Sequence, residues 1–229
     1  AIEPGVVRHE LTDADGEPIL HDVAETEEGV RLTAFVEPGT YHLHLDEPKR
    51  SVVFVWDSSG SMGPFLPITN ASVAAFARDL DPEREAAQLL SFANPEPRWL
   101  LPWWSGDPVY VERHRAAFDP DSVDSSEAEL AMLRAVDALG QREGTRAILL
   151  ITDHESGSYG LTSDLWTAIE EVRPRIFTFE VSSGGSGVTQ DRMQAYAAVN
   201  RGVYDYARNT GDFEAGYRRA SCQLRRPKP

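Results

Sequence analysis

The sequence predicts an α/β fold: a doubly wound, mostly parallel β-sheet with helices on both faces, preceded by a small β-rich segment. Within residues 49–225, short apolar runs rich in β-branched residues recur and end in polar residues. Runs of this kind are typical of strands buried on both faces of a parallel sheet. Helical patterns of apolar residues alternate with them, as expected when helices cover both faces. Residues 1–48 lack this alternation, and residues 226–229 form a short tail.

The N-terminal segment is predicted to contain short strands separated by turns. Strands are predicted at residues 6–11, 18–23, 30–36 and 41–45. Apolar and polar residues alternate within the last two, which is typical of half-exposed antiparallel strands. So few strands make a small sheet but not an independent sandwich. We therefore expect residues 1–48 to be part of a β-sandwich that flanks the main domain.

The stretch at residues 51–62 carries the first functional signal. An apolar run ends at Asp57, and hydroxyl side chains follow at Ser59 and Ser61. Ligands of parallel sheets bind beyond the carboxyl ends of the strands, so these side chains are expected to converge at the lip of the sheet. One carboxylate and two hydroxyls form a hard, oxygen-only donor set that suits Mg²⁺. Taken alone, the motif is better explained by a turn that satisfies backbone amides and caps the next helix.

A second apolar strand, at residues 147–152, makes a metal site a better explanation than a simple turn. An aspartate, Asp153, directly follows this strand as well. Two such strands in one sheet place both carboxylates at the same edge. There they raise each other's pKa unless a divalent cation lies between them. The hydroxyl-rich stretch 124–127 opens a helical pattern at residues 130–139 and is able to supply a further hydroxyl ligand. Together the motifs favour a metal site.

Between these motifs, a helical pattern at residues 73–80 is predicted to stop at Asp81 and Pro82. Strands at residues 86–92 and 99–104 flank a proline-containing turn and predict a hairpin. The second strand is rich in tryptophan. Most of these tryptophans are expected to pack into the protein rather than to form an exposed binding patch, since aromatic residues dominate cores by buried area.

The C-terminal part continues the alternation of helix and strand. A helix at residues 165–172, a strand at 175–181, a helix around 193–199, a strand at 202–207 and a helix at 213–222 are predicted. The glycine- and serine-rich stretches 155–162 and 182–187 are expected at the same edge of the sheet as the two aspartates, where they are candidate specificity loops. The second stretch lacks the Gly-Lys-Ser/Thr ending of a phosphate-binding P-loop.

In their order, the three motifs resemble the metal-ion-dependent adhesion site (MIDAS) of the von Willebrand factor A (vWA) domain. The resemblance covers about Arg50 to Leu224 and implies a Rossmann-like vWA fold. The metal ligands that it implies are Asp57, Ser59, Ser61, Ser126 and Asp153. The family usually has Thr where this chain offers Ser125 or Ser126, and the spacing to the following helix favours Ser126. The family commonly has Gly-Glu where this chain has His154 and Glu155.

The resemblance implies a protein-binding module. A six-coordinate Mg²⁺, or Mn²⁺ or Ca²⁺ in its place, would keep a position open for an acidic residue of a protein partner. Two alternatives remain: a metal-free structural vWA scaffold, and a Mg²⁺-dependent hydrolase. Phosphatases with an aspartyl nucleophile need a second Asp two residues on as general acid, and that position holds Ser59. The chain is therefore not expected to be an enzyme.

Composition narrows the possible partners. The net charge of −15 argues against nucleic acid or an anionic membrane surface. No apolar run is long enough for a membrane span, so membrane insertion is not expected. His42 and His44 share a strand face, but with no further ligand nearby they are interpreted as solvent-facing rather than zinc-binding. We expect a monomer within a larger bacterial chain that is secreted or lies at the cell surface, with a cytoplasmic protein as the alternative.

Overall fold

The computed structural model describes residues 8–20, 22–26, 29–46, 49–93, 96–116, 128–153, 163–181 and 187–225. The chain divides into two compact units, one of residues 1–48 with residues 225–229 and one of residues 49–224. The predicted α/β class is confirmed in the larger unit, which contains a six-stranded, mostly parallel sheet with helices on both faces.

The smaller unit contains two antiparallel strand pairs. Strand β1 (Arg8–Asp13) pairs with β4 (Tyr41–Asp46), and β2 (Asp22–Thr26) pairs with β3 (Gly29–Thr33). The second strand begins at Asp22, later than its predicted start at residue 18, whereas residues 6 and 7 of the first predicted strand lie outside the described residues. The carboxylate of Asp13 accepts hydrogen bonds from the amides of Asp15 and Glu17, both at 2.9 Å, which fixes a tight turn after β1. The third strand ends at Thr33, three residues short of its predicted end at residue 36.

The larger unit is organised around one central sheet. Its strands are β5 (Arg50–Asp57), β6 (Glu85–Phe92), β7 (Arg98–Ser105), β8 (Thr145–Thr152), β9 (Arg175–Val181) and β10 (Tyr204–Ala207). Their order is β10-β9-β8-β5-β6-β7, and β7 alone among them runs antiparallel to its neighbour. β5, β8 and β9 are buried along nearly their whole length, which explains the long apolar runs within β5 and β8.

Helices cover both faces of this sheet. They are α1 (Leu66–Arg78), α2 (Pro108–Ala116), α3 (Ala128–Gly140), α4 (Ser163–Val172), α5 (Gly187–Val199) and α6 (Thr210–Arg225), with a short 3-10 helix at Gly60–Phe65. α1, α2 and α6 contribute to the hydrophobic core on one face, and α3, α4 and α5 to the core on the other. α1 ends at Arg78, before its predicted stop, because a tight turn follows in which Leu80 donates its amide to the Ala77 carbonyl. No described helix has both the length and the apolar character that a membrane span requires.

The tryptophans of β7 divide between the core and the surface. Trp99 and Trp104 pack against the core under α3, α4 and α5, which confirms the expectation that most of them are packed. The guanidinium of Arg142 lies 4.9 Å from the centre of the Trp104 ring, at a distance suited to a cation–π contact. Trp103 remains 52% exposed.

Arginines cap several helices at the edge where the parallel strands begin, here called the amino edge. The Arg146 side chain donates to the Arg142 carbonyl at 2.8 Å, just beyond α3, and to the Val172 carbonyl at 3.0 Å, at the end of α4. Arg175 donates to the Gln223 carbonyl in the last turn of α6, at 3.0 Å. A cation at a helix C-terminus satisfies free carbonyls and complements the helix dipole. These helices therefore direct their N-termini towards the opposite, carboxyl edge.

Candidate metal site

The candidate site lies at the point where the chain changes direction across the sheet. From β5 the chain proceeds to β6 and β7 on one side, whereas β8, β9 and β10 extend the sheet on the other side. Ligands of open α/β sheets bind in the crevice outside the carboxyl ends of the two strands that flank such a switch point. In this protein those strands are β5, which ends in Asp57, and β8, which Asp153 follows directly.

Asp57 is held in one orientation by hydrogen bonds from both sides. Its side chain is buried, with 1% of the residue exposed. One carboxylate oxygen, Oδ1, accepts the amide of Ser59 at 2.9 Å. The other, Oδ2, accepts the hydroxyl of Thr152 at 2.5 Å. The parallel pairing of Trp56 with Ile151 puts Asp57 and Thr152 level with each other on adjacent strands, which explains this contact.

Burial raises the pKa of Asp57 from 3.8 to about 6. The hydrogen bonds from Thr152 and Ser59 lower this pKa, whereas the nearby carboxylate of Asp153 raises it further. At neutral pH Asp57 is thus ionised in surroundings that disfavour its charge. A divalent cation at this edge would remove that cost, because it favours the ionised form of both carboxylates.

The two serine hydroxyls predicted as ligands lie next to each other. The Oγ atoms of Ser59 and Ser61 are 3.1 Å apart. Ser59 immediately precedes the 3-10 helix, yet its side chain makes no hydrogen bond that caps that helix. Part of the turn interpretation is therefore confirmed, because Asp57 accepts the Ser59 amide. The two hydroxyls do not cap the helix and instead lie within hydrogen-bond distance of each other.

Asp153 completes the set that the structure brings to this edge. It is 8% exposed, and its charge is close enough to Asp57 to raise the pKa of that residue. Ser126 and its alternative Ser125 lie outside the described residues, as do His154, Glu155 and most of the two candidate specificity loops. Their part in the site stays a prediction.

The donors fit a hard cation better than a soft one. Within the described ranges, no group of three or more histidine, cysteine, aspartate or glutamate side chains is placed to hold a metal. The carboxyl edge instead carries two carboxylates and two adjacent hydroxyls. Mg²⁺ and similar ions bind oxygen-only donor sets of this kind together with water. His42, considered as a zinc ligand from sequence, has an exposed side chain.

Sequence reasoning missed Thr152, the hydroxyl that orients Asp57. The signal was present, since Thr152 is the polar residue that ends the apolar run of β8. Its role depends on the alignment of β8 with β5 across the sheet, and spacing along the chain does not give that alignment.

Comparison with known proteins identifies the fold. No family model and no curated protein matches the chain. Among solved structures, the vWF domain of the type V pili tip protein Mfa5 from Porphyromonas gingivalis is 12% identical, with a TM-score of 0.61 over 80% of this chain and 98% of that chain. A von Willebrand factor type A structure from Catenulispora acidiphila is 14% identical, with a TM-score of 0.57 over 96% of this chain and 50% of that chain.

A third similar structure is proximal thread matrix protein 1 from the mussel byssus, solved with a zinc-occupied MIDAS motif. It is 12% identical, with a TM-score of 0.61 over 76% of this chain and 46% of that chain. This chain thus spans about half of the Catenulispora and mussel structures. Identities this low establish the fold and nothing finer. The sheet order, the helices on both faces and these neighbours show that the chain has the fold of the von Willebrand factor type A domain.

Proposed function

We propose that this protein is a divalent-cation-dependent protein-binding module. In the proposed site, Asp57, Ser59, Ser61 and Ser126 bind the cation, and Asp153 binds it directly or through water. Mg²⁺ is the expected cation, with Mn²⁺ or Ca²⁺ as alternatives. The observation that carries the proposal is the buried carboxylate of Asp57, fixed from both sides and placed beside two adjacent hydroxyls at the carboxyl edge.

A bound cation would leave a coordination position for a ligand from the partner. If one carboxylate binds directly, the cation keeps a net positive charge and attracts an anionic group. Opposite unit charges about 4 Å apart attract each other by roughly 4 kcal/mol at an effective dielectric constant near 20. An Asp or Glu side chain of a protein partner supplies such a group, so the proposed interaction is metal-bridged adhesion.

The similar structures support this class of function. One is a pilus tip protein and another is a byssus protein whose MIDAS motif holds zinc, so this fold occurs in a pilus tip and binds a metal in at least one protein. We infer by analogy a secreted or surface-exposed module of a larger protein. We propose binding rather than hydrolysis, because the residue two positions after Asp57 is Ser59 and cannot act as the general acid of an aspartyl phosphatase.

Thermal unfolding tests the cation directly. The wild type, Asp57→Ala and Asp191→Ala are unfolded in EDTA and then in saturating Mg²⁺, Mn²⁺, Ca²⁺ or Zn²⁺. Asp191 is an exposed aspartate on α5 and serves as the matched control. A cation present at about 100 times its Kd stabilises the folded state by roughly 2.7 kcal/mol, which raises the midpoint by several degrees.

The proposal requires this rise in the wild type and in Asp191→Ala, and its loss in Asp57→Ala. Addition of an acidic peptide should then raise the wild-type midpoint further when the cation is present and not in EDTA. No rise with any cation would leave the metal-free scaffold as the better description. A rise that survives in Asp57→Ala would place the cation elsewhere.

Cation binding is expected to weaken on acidification. Because the pKa of Asp57 lies at about 6 in the cation-free protein, protons compete for this carboxylate below that pH. The association constant should stay level above about pH 7 and fall by about tenfold per pH unit well below pH 6. Calorimetric titration of Mg²⁺ over this range measures the dependence. An affinity that does not change with pH would show that Asp57 does not bind the ion.

A further inference from the structure

Two arginines lie side by side at the amino edge of the sheet, opposite the proposed metal site. Arg175 begins β9 and is 9% exposed, whereas Arg201 lies in the turn between α5 and β10 and is exposed. The amide of Thr178 donates to the Val203 carbonyl at 2.9 Å, so the chain runs beside β9 before β10 begins. This alignment brings Arg201 next to the start of β9, where Arg175 lies.

The turn that carries Arg201 is held closely against β9. α5 ends at Val199, and the amide of Gly202 donates to the Ala197 carbonyl at 2.9 Å. A Cβ atom at Gly202 would lie 1.8 Å from the Ile176 carbonyl oxygen, so glycine is needed for this approach. Arg201 itself has a φ of +58°, in the left-handed region where glycine is the usual residue after a helix. The backbone therefore does not explain the choice of arginine at this position.

The positive charges of the two arginines are not balanced by acidic side chains. Burial lowers the pKa of Arg175, and the nearby charge of Arg201 lowers it further. Within the described ranges neither arginine forms an ion pair, although the chain has 37 acidic and only 22 basic residues. Arg175 donates from Nη1 to the Gln223 carbonyl at 3.0 Å, while its buried Nε has no hydrogen-bond partner among the described residues. The contact with α6 accounts for Arg175, but not for a second arginine beside it.

We propose that Arg175 and Arg201 form a binding site for a doubly charged oxyanion such as a phosphate group, either as the free ion or as an ester. A guanidinium group donates parallel hydrogen bonds that match the oxygens of phosphate, and two arginines match the charge of a dianion. Arg201 is exposed, so the anion contacts it from solvent without entering the core. The charge of Arg175 beside it adds to the attraction. Two like charges held together lower stability, and residues with this effect are often those that bind ligands.

Thermal unfolding in the presence of phosphate tests this site. The wild type, Arg201→Gly and Arg173→Gly are unfolded in EDTA at pH 8, with chloride replaced by phosphate or methyl phosphate at constant ionic strength. EDTA keeps the opposite edge free of cations, so the result does not depend on the proposed function. Arg173 is the matched control, because it is an exposed arginine that directly follows α4 and has a φ of +52°. Glycine suits this backbone conformation at both positions, so both variants are expected to fold.

Phosphate at about ten times its Kd should raise the midpoint of the wild type and of Arg173→Gly by a few degrees. Arg201→Gly should show only the small general rise that phosphate causes because it is excluded from protein surfaces. Calorimetric titration should give a Kd for phosphate at least tenfold higher in Arg201→Gly than in the wild type. A similar effect of methyl phosphate would indicate that the site accepts a phosphate group carried by a larger molecule, and an effect of inorganic phosphate alone would indicate a site for the free ion.

Three results would overturn the site. The first is a wild-type midpoint that phosphate does not raise. The second is an equal rise in all three proteins, which would reflect exclusion from the surface alone. The third is a rise lost in Arg173→Gly as well as in Arg201→Gly, which would assign the effect to the general positive charge of the amino edge rather than to the pair formed by Arg175 and Arg201.

Discussion

Asp57→Asn is expected to be more stable than the wild type at neutral pH without cations, and to gain nothing when cations are added. Higher stability without cations, together with no gain when cations are added, would identify Asp57 as a metal ligand. A residue that only shapes a turn would not give this combination. Asn keeps an oxygen for the Ser59 amide and an amide group that can donate to the Thr152 hydroxyl, so these two contacts of Asp57 have counterparts in the variant. The substitution therefore removes the charge and little else.

The direction follows from the pKa of Asp57. Burial raises it from 3.8 to about 6 in the folded protein, so the carboxyl favours folding when protonated. That contribution is fully present below pH 3.8 and is lost as the pH rises through about 6. The difference between the two pKa values corresponds to on the order of 3 kcal/mol of unfolding free energy at neutral pH. Asn carries no charge and avoids this loss.

Urea unfolding in EDTA across this pH range measures the effect. The unfolding free energy of Asp57→Asn should be close to that of the wild type near pH 4 and exceed it increasingly up to about pH 7. In Mg²⁺ at about 100 times its Kd this difference should shrink by roughly 2.7 kcal/mol, since of these two proteins only the wild type gains stability from the cation. The control substitution Asp191→Asn should leave the unfolding free energy close to that of the wild type, both in EDTA across this pH range and in Mg²⁺. An Asp57→Asn variant that is less stable than the wild type in EDTA at neutral pH would show that the carboxylate is structural.

Much of the architecture was predictable because a parallel sheet is buried on both faces. Side chains buried on both faces are mostly apolar, so the strands at residues 51–56 and 147–152 are visible in the sequence as nearly continuous apolar runs. The ends of elements were harder to place. The carboxylate of Asp13 accepts hydrogen bonds from two later amides and closes a turn after β1, and the periodicity of apolar residues does not reveal such a local contact.

The candidate site was predictable to the extent that it follows individual strands. Asp57 and Asp153 come directly after apolar runs, and the carboxyl ends of parallel strands share one edge. Thr152 was not recognised, because its role comes from the alignment of β8 with β5 rather than from spacing along the chain. Ser126 remains a prediction, since it lies outside the described residues.

The largest loss of stability is expected from Arg50→Met, at the amino edge of the same sheet. Arg50 begins β5 and Glu85 begins β6, and the two are aligned in the ladder. The Arg50 Nε donates to Glu85 Oε1 at 2.7 Å, and both residues are buried, with 8% and 3% exposed. Removal of the guanidinium takes away the positive charge of Arg50 that compensates the buried Glu85 carboxylate, and breaking a buried ion pair in this way typically costs about 3–5 kcal/mol.

The double variant Arg50→Met/Glu85→Gln should regain most of this loss. Gln removes the charge that Arg50 compensated and keeps an oxygen for the Asp81 amide, which Glu85 Oε2 now accepts at 3.0 Å. Urea unfolding of the two single variants and the double variant gives the coupling between the residues, and a double variant as unstable as the sum of both single variants would contradict a desolvated ion pair. The Mg²⁺-dependent rise should persist in all of them, because Arg50 and Asp57 lie at opposite ends of β5. Stability at the amino edge and binding at the carboxyl edge are then separable properties of one strand.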